Sequence, residues 1–365
     1  MPRILGADVT DTVPGRPPTA ADVALHAGVS KATATRALGD YGRISQKTKQ
    51  RVLAAADELG YRPNAAAQTM NTGKSGSLGI VARGITNPVW SVAFQGIVDA
   101  ARESGKTVLF AGSGFDVAEE RSAIDLFLGK QVDGLIVSAA DNQDARHLRR
   151  AREHGVPLVL WERRVPGLDA PVVEADMRSA SAELARELLK RGHRRVAFVS
   201  TLAQPTTHYE RNLALPASII SDKIEGLFDA FDEANVAAPV DLVRFPNRTS
   251  EHIAKAFAEV LDHTDPPTAL VASDSQVAET MLEVVRERGL RVPGDVSLAM
   301  FDNLSWARFT VPPLTVVAQP DYDMGRRAAQ LAMGQIAPTH HSSGSPPFEA
   351  KLILRASVGP APRNI

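Results

Sequence analysis

From residue 78 to residue 301 the chain alternates short aliphatic runs with amphipathic stretches, and it does so in two series. Runs at 78–81, 108–111, 134–138, 158–161 and 172–174 are separated by helical patterns near 91–104, 117–130, 144–154 and 179–191. Runs at 196–200, 242–245, 269–272 and 296–301 follow, with helical patterns near 221–235, 250–262 and 275–288 between them. Strands joined through helices pair in parallel, and parallel sheets bury both faces. Two such series predict an α/β body of two doubly wound subdomains. Ligands of such sheets sit at the carboxyl ends of strands, so the cleft between the halves is the expected place for a small molecule.

Residues 19–76 follow a different pattern. Thr19 is placed to cap a helix over 20–27 whose Val23, Ala24 and Ala27 share one face. Gly28 supplies a sharp turn, Val29 plugs its underside and Ser30 caps a second helix over 31–38, which makes a helix-turn-helix. A third helix, capped at Ser45, is expected to turn Val52, Leu53, Ala56 and Leu59 inward and to stop at Gly60. The alanine-rich stretch 65–70 is too short to persist alone as a helix, and 71–76 reads as linker. Residues 1–18, with Pro14, Pro17 and Pro18, read as a disordered tail, and 359–365 as a second tail.

Charge is segregated the same way. The chain as a whole has 41 Lys plus Arg against 42 Asp plus Glu, yet residues 19–76 carry eight basic side chains and only four acidic ones. A basic module on a mildly acidic body is expected where one part meets a polyanion. The chain has no cysteine, which excludes disulfides, thiolate catalysis and Cys-ligated metals. No apolar run approaches the ~20 residues of a membrane helix, and no signal-peptide core precedes residue 21, so a cytoplasmic protein without a membrane partner is expected. Gly73-Lys74-Ser75 fails as a phosphate loop because Gln68 stands where glycine is needed, and Gly112-Ser113-Gly114 is too short for a dinucleotide fingerprint. His340-His341 lacks a third metal ligand, and no hydrolase elbow or zinc-protease motif occurs. No enzyme activity, metal or cofactor is expected.

Several words in this sequence carry a resemblance. Asp22-Val23-Ala24, Ala27-Gly28-Val29-Ser30, Thr33 and Arg36, then Arg43-Ile44-Ser45, Thr48, Val52 and Leu59-Gly60-Tyr61-Arg62-Pro63-Asn64, resemble the DNA-binding headpiece of the lactose-repressor and purine-repressor family. The likeness continues through Leu78-Gly79-Ile80-Val81, Ile85-Thr86-Asn87-Pro88, Val132-Asp133-Gly134-Leu135-Ile136, Gly192-His193-Arg194-Arg195, Phe301-Asp302-Asn303, Pro312-Pro313-Leu314-Thr315 and Gln319-Pro320. It spans about residues 19–358 in collinear order. It implies a small all-α helix-turn-helix headpiece (19–63), a hinge helix and linker (64–76), and a periplasmic-binding-protein-like body (77–358). The body's lobes are expected at about 77–174 plus 320–348 and about 175–319 plus 349–358. The implied function is a homodimeric transcriptional regulator of repressor type, bound to a near-palindromic DNA operator and controlled by a small-molecule effector, a sugar or sugar derivative. A solute-binding sensor with a vestigial headpiece and a sugar-processing enzyme are the alternatives.

Residue by residue, the resemblance puts Lys31, Ala32 and Arg36 at base edges, where Arg pairs with guanine and Ala meets a thymine methyl. Ser30, Thr33, Arg43, Lys47, Lys49 and Asn64 fall at phosphate contacts, and Ala67, Gln68 and Met70 in the minor-groove hinge, with Met70 as the wedge. Effector contacts are implied for Asn87, Trp90, Glu162, Arg163, Asp176, Lys223, Asp274, Trp306 and Gln319. Lys223, Ser273 and Gly84 depart from the Arg, Asn and Asp usual in sugar-binding members, and the long segment 202–220 reads as a lid.

Overall fold

The computed structural model describes residues 16–39, 41–62, 69, 73–84, 88–202, 206–211, 213–335 and 346–362. The expected roles of Asn64, Ala67, Gln68, Met70 and Asn87, and the pair His340-His341, lie outside the described residues. The chain divides into two compact units, residues 1–75 and 76–365.

The first unit holds α1 (Ala20–His26), α2 (Lys31–Leu38) and α3 (Gln46–Glu58). Thr19 and Asp22 cap α1 reciprocally, the Thr19 hydroxyl accepting from the Asp22 amide and the Asp22 carboxylate from the Thr19 amide. Ser30 and Ser45 cap α2 and α3 by accepting from the Thr33 and Thr48 amides. Gly28, at φ +61°, takes the left-handed turn between α1 and α2 that a side chain would strain. The core is built largely of small residues: Val23, Ala24, Ala27, Ala34, Ala37, Val52, Ala55 and Ala56. Leu53 departs from the expectation, being 45% exposed, and Ala55 takes the inward place. From Val52 the helical period returns to the same face at 55, 56 and 59, which leaves 53 outside.

The second unit has two mainly parallel sheets. In the first, β1 (Ser77–Ala82), β2 (Thr107–Gly112), β3 (Gly134–Val137), β4 (Leu158–Trp161) and β5 (Val172–Val173) run in the order β2-β1-β3-β4-β5. Helices α4 (Val89–Glu103), α5 (Val117–Gly129) and α6 (Arg146–Glu153) connect them. In the second, β6 (Val196–Val199), β7 (Val243–Arg244), β8 (Ala269–Ala272), β9 (Ser297–Phe301), β10 (Thr315–Ala318) and β11 (Lys351–Ile353) run in the order β11-β10-β9-β8-β6-β7. Its helices are α7 (Met177–Lys190), α8 (Ser218–Glu233), α9 (Ser250–Leu261) and α10 (Ser275–Glu287). Among the described strands only β11 is antiparallel, paired with β10.

Three passages join the lobes. The chain leaves the first sheet after β5 and enters α7. After β10 it returns through α11 (Asp321–Ala332), which packs on α4 and on β3, β4 and β5. It crosses back before β11, where Ala175 and Phe348 pair as an isolated bridge. One apolar cluster runs through both lobes, from Leu78, Ile80 and Trp90 to Phe198 and Phe231. The described part of 202–220 is no lid. Tyr209 packs its ring 5.8 Å from that of Phe228 and 6.1 Å from that of Phe245, and Leu215 is buried. Aromatic and aliphatic side chains seat this segment on α8 and the strand edge, where a lid would have stayed polar. Residues 359–361 are likewise no free tail: Gly359 donates to Ser297 Oγ and Ala361 to the Arg191 carbonyl.

Candidate functional site

In the first unit, Lys31, Ala32 and Arg36 lie exposed on α2, while Ala34 and Ala37 of the same helix are buried. Arg36 folds back along the helix, its Nε donating to the Ala32 carbonyl at 3.1 Å. Ser30 and Thr33 share a 2.9 Å hydroxyl contact at the N-terminal end of α2, where the exposed amide dipoles favour an anion. Arg43 and Lys47 are exposed and Lys49 is half-buried. The exposed side of α2, the turn before α3 and the first turn of α3 therefore carry the cations and hydroxyls, while the small residues Ala34 and Ala37 face the core.

In the second unit a cavity of about 90 Å³ opens between the two sheets. Its walls come from strand ends of both lobes, as the topology requires. Arg83 follows β1, Phe115 follows β2, Glu162 and Arg163 follow β4, and Trp90 comes from α4. From the other lobe come Ser200 after β6, Arg248 after β7, Ser273 and Asp274 after β8, Asp302 after β9, Gln319 after β10 and Lys223 from α8. Five non-glycine residues among those described have a left-handed backbone, and three of them line this cavity: Phe115, Glu162 and Asp302. Such strain gathers where side chains must be aimed against local preference.

Lys223, only 5% exposed, donates through Nζ to the Ser273 carbonyl at 2.9 Å and sits 4.4 Å from the centre of the Phe301 ring. Burial lowers its pKa, opposed by the charges of Asp302, Glu162 and Asp274. Burial pushes Asp302 up to about 6 against the pull of Lys223. One oxygen of Asp302 accepts from the Ser275 amide at 3.0 Å. Asp274 caps α10 by accepting from the Gln276 and Val277 amides and takes the Ser273 hydroxyl at 2.8 Å. Glu162 accepts from Gln319 at 2.8 Å and from Arg83 at 3.5 Å. Arg163 is 2% exposed and donates to the Ala139 and Ala140 carbonyls, each at 2.9 Å. Trp90 and Trp161 line the cavity with their ring centres 5.4 Å apart and their planes tilted by 41°. Three buried polar atoms of the lining, Arg83 Nε, Arg163 Nε and Gln319 Oε1, have no hydrogen-bond partner among the described residues. Leaving such atoms unpaired costs ~1–3 kcal/mol each, which a polar ligand would recover.

The cavity brings together Trp90, Glu162, Arg163, Lys223, Asp274 and Gln319. Two expected contacts lie elsewhere. Asp176 caps α7, accepting from the Ser179 amide, and does not line the cavity. Trp306 sits in the 3-10 turn Ser305–Arg308 and packs against the core on the other side of the second sheet. Arg83, Phe115, Arg248 and Asp302 were missed as site residues. Each lies within four residues of the end of a strand, so a search of the strand-end loops would have found them.

The family model described as lacI-family bacterial regulatory proteins matches residues 19–64, and one described as a periplasmic binding protein-like domain matches 185–358. The HTH-type transcriptional repressor CytR of Escherichia coli (strain K12) is 30% identical over 345 residues, covering 94% of this chain and 97% of that protein. Catabolite control protein A of Priestia megaterium is 29% identical over 311 residues, covering 85% and 90%. Among solved structures, the regulator CelR in complex with cellobiose matches at a TM-score of 0.66 and 25% identity, over 93% of this chain and 99% of that one. The lac repressor dimer bound to operator and the anti-inducer ONPF shares the fold at a TM-score of 0.76 and 22% identity, over 94% and 100%. With a helix-turn-helix headpiece, a two-lobed body and 30% identity to a repressor over nearly its full length, the chain belongs to the LacI family of bacterial transcriptional regulators, DNA-binding proteins controlled by a small-molecule effector.

Proposed function

We propose that two copies of this chain bind a near-palindromic operator and that a hydroxylated small molecule, a sugar or sugar derivative, occupies the cleft cavity and resets operator affinity. The observation that carries this reading is the cavity lining itself: strand-end side chains from both lobes, several nearly buried, with three polar atoms that lack partners. In this reading Lys31, Ala32 and Arg36 meet base edges, and Ser30, Thr33, Arg43, Lys47, Lys49 and Asn64 hold phosphates. Ala67, Gln68 and Met70 enter the minor groove, the methionine as an apolar wedge. In this reading the cleft binds its ligand without turning it over, Asp274 capping α10 and Glu162 accepting from Gln319 and Arg83.

The test has two readouts on one protein. Operator DNA is recovered by repeated selection from random duplexes, and its affinity is measured by fluorescence anisotropy with and without candidate ligands. Ligand binding is followed separately through Trp90 and Trp161, which line the cavity. A ligand that changes tryptophan emission and shifts operator affinity supports the reading, with a coupling expected at ~1–3 kcal/mol. If ligands that perturb the tryptophans leave operator affinity unchanged, the chain is a sensor uncoupled from DNA.

A further inference from the structure

Phe115 is half-buried on the loop after β2, and two guanidinium groups address its ring. Arg248 has its Cζ 3.0 Å from the ring centre and Arg83 has its Cζ 5.4 Å away. The two arginines come from opposite lobes, Arg83 from the end of β1 and Arg248 from the loop after β7. All three residues line the cavity. Arg83 shares Glu162, whereas Arg248 has no hydrogen bond or ion pair to any described residue. Burial and the neighbouring Arg83 charge lower the Arg248 pKa to about 10, so Arg248 stays cationic at neutral pH. An aromatic face offsets only part of the cost of bringing two like charges together. The nearby carboxylates do not complete the pairing, since Asp274 is spent on the α10 cap and the Ser273 hydroxyl.

What two guanidinium forks on one ring lack is an oxyanion, whose geometry a guanidinium matches with paired N–H donors. We propose that the effector carries an oxyanionic group, a phosphate or a carboxylate, clamped between Arg248 and Arg83 beside the Phe115 ring, with its hydroxylated part over Trp90 and Trp161. This rests on the cleft being the effector site. It also gives the ligand a mechanical role. The two arginines belong to different lobes, so an anion held by both bridges the cleft. A neutral analogue fills the same cavity without doing so.

The probes are inorganic phosphate, D-glucuronate, D-glucose 6-phosphate and neutral D-glucose, each titrated against the full-length protein with the unfolding midpoint and tryptophan emission as readouts. Phosphate should raise the midpoint of the parent protein, and the charged sugars should bind more tightly than glucose. In Arg248→Gln the apparent affinity for phosphate should fall at least tenfold and the advantage of the charged sugars should vanish. Arg248→Lys, which keeps a charge without the fork, should fall between the two. Phosphate bound by the basic headpiece is common to all these proteins, so the difference between them reads the cleft. Because Arg248 is exposed and its charge is repelled by Arg83, its variants should not fall below the parent midpoint without ligand, which checks folding. Equal phosphate responses in parent and Arg248→Gln overturn the clamp. Binding of glucose alone, with emission changing and the charged probes inert, overturns it while leaving the cleft as the effector site. Emission unmoved by every probe, with a phosphate response that survives Arg248→Gln, overturns both.

Discussion

Gly96 of α4 and Gly325 of α11 lie where the two helices cross in closest approach: a Cβ built on Gly96 would stand 2.1 Å from the Tyr322 carbonyl oxygen, and one on Gly325 2.1 Å from that of Ala93. The contact is reciprocal and backbone to backbone, so no side-chain rotation can relieve it. It fixes α11, which arrives from the second sheet, onto the first lobe. Gly325→Ala should therefore destabilise the body by about 1–3 kcal/mol, as overpacking does. Gly129→Ala, at a helical position with nothing within 4 Å, should be neutral or stabilising. Denaturant melts of both variants check this, and equal midpoints would show that the crossing is slack.

Arg36 lies exposed on α2 and Lys49 half-buried on α3. Arg36→Ala should cost ~1–3 kcal/mol on operator and relax preference at one base, whereas Lys49→Ala should weaken operator and random DNA alike. The log of affinity should fall linearly with the log of salt, because neutralised phosphates release counterions. Anisotropy titrations on both DNAs at several salt concentrations separate these effects. Equal losses on the two DNAs for Arg36→Ala would assign it to the phosphate backbone.

Lys223→Met should weaken effector binding by ~1–3 kcal/mol, since it removes a buried donor from the cavity wall. Trp306→Phe and Asp176→Ala should leave effector affinity unchanged, because neither residue lines the cavity. Calorimetry on the three variants checks this, and a loss for Trp306→Phe would place Trp306 in the effector site.

Asp302 gives stability a pH dependence whose sign can be worked out. Its carboxyl is pushed up to about 6 in the folded protein, from an ordinary value of 3.8. Between those values the native state holds a proton that the unfolded chain has lost, so Asp302 makes stability fall as pH rises from about 4 to about 6 and adds nothing further above that. Asp302→Asn should remove this slope, shown by denaturant midpoints at pH 4.5 and 6.5 that differ less in the variant than in the parent. Parallel curves for the two proteins would place the Asp302 titration at its ordinary value.

Local pattern alone determined a great deal. The run 269–272 is β8 and the run 158–161 is β4, residue for residue, and Ser30 and Ser45 cap the helices they were expected to cap. Each of these depends on neighbours in the chain, through periodicity or a side chain reaching an amide three residues on. The tertiary structure decided the rest. Trp90 and Trp306 read alike in the sequence, each an aromatic near a strand end, yet one lines the cavity and the other packs beyond the second sheet. Asp274 and Asp176 both cap helices, but only the first reaches the cleft. The stack of Arg83, Phe115 and Arg248 joins residues 165 positions apart at its extremes. Which strand ends converge is set by the order β2-β1-β3-β4-β5 and by the two sheets facing each other, and that order depends on pairing between distant segments, which local periodicity does not encode.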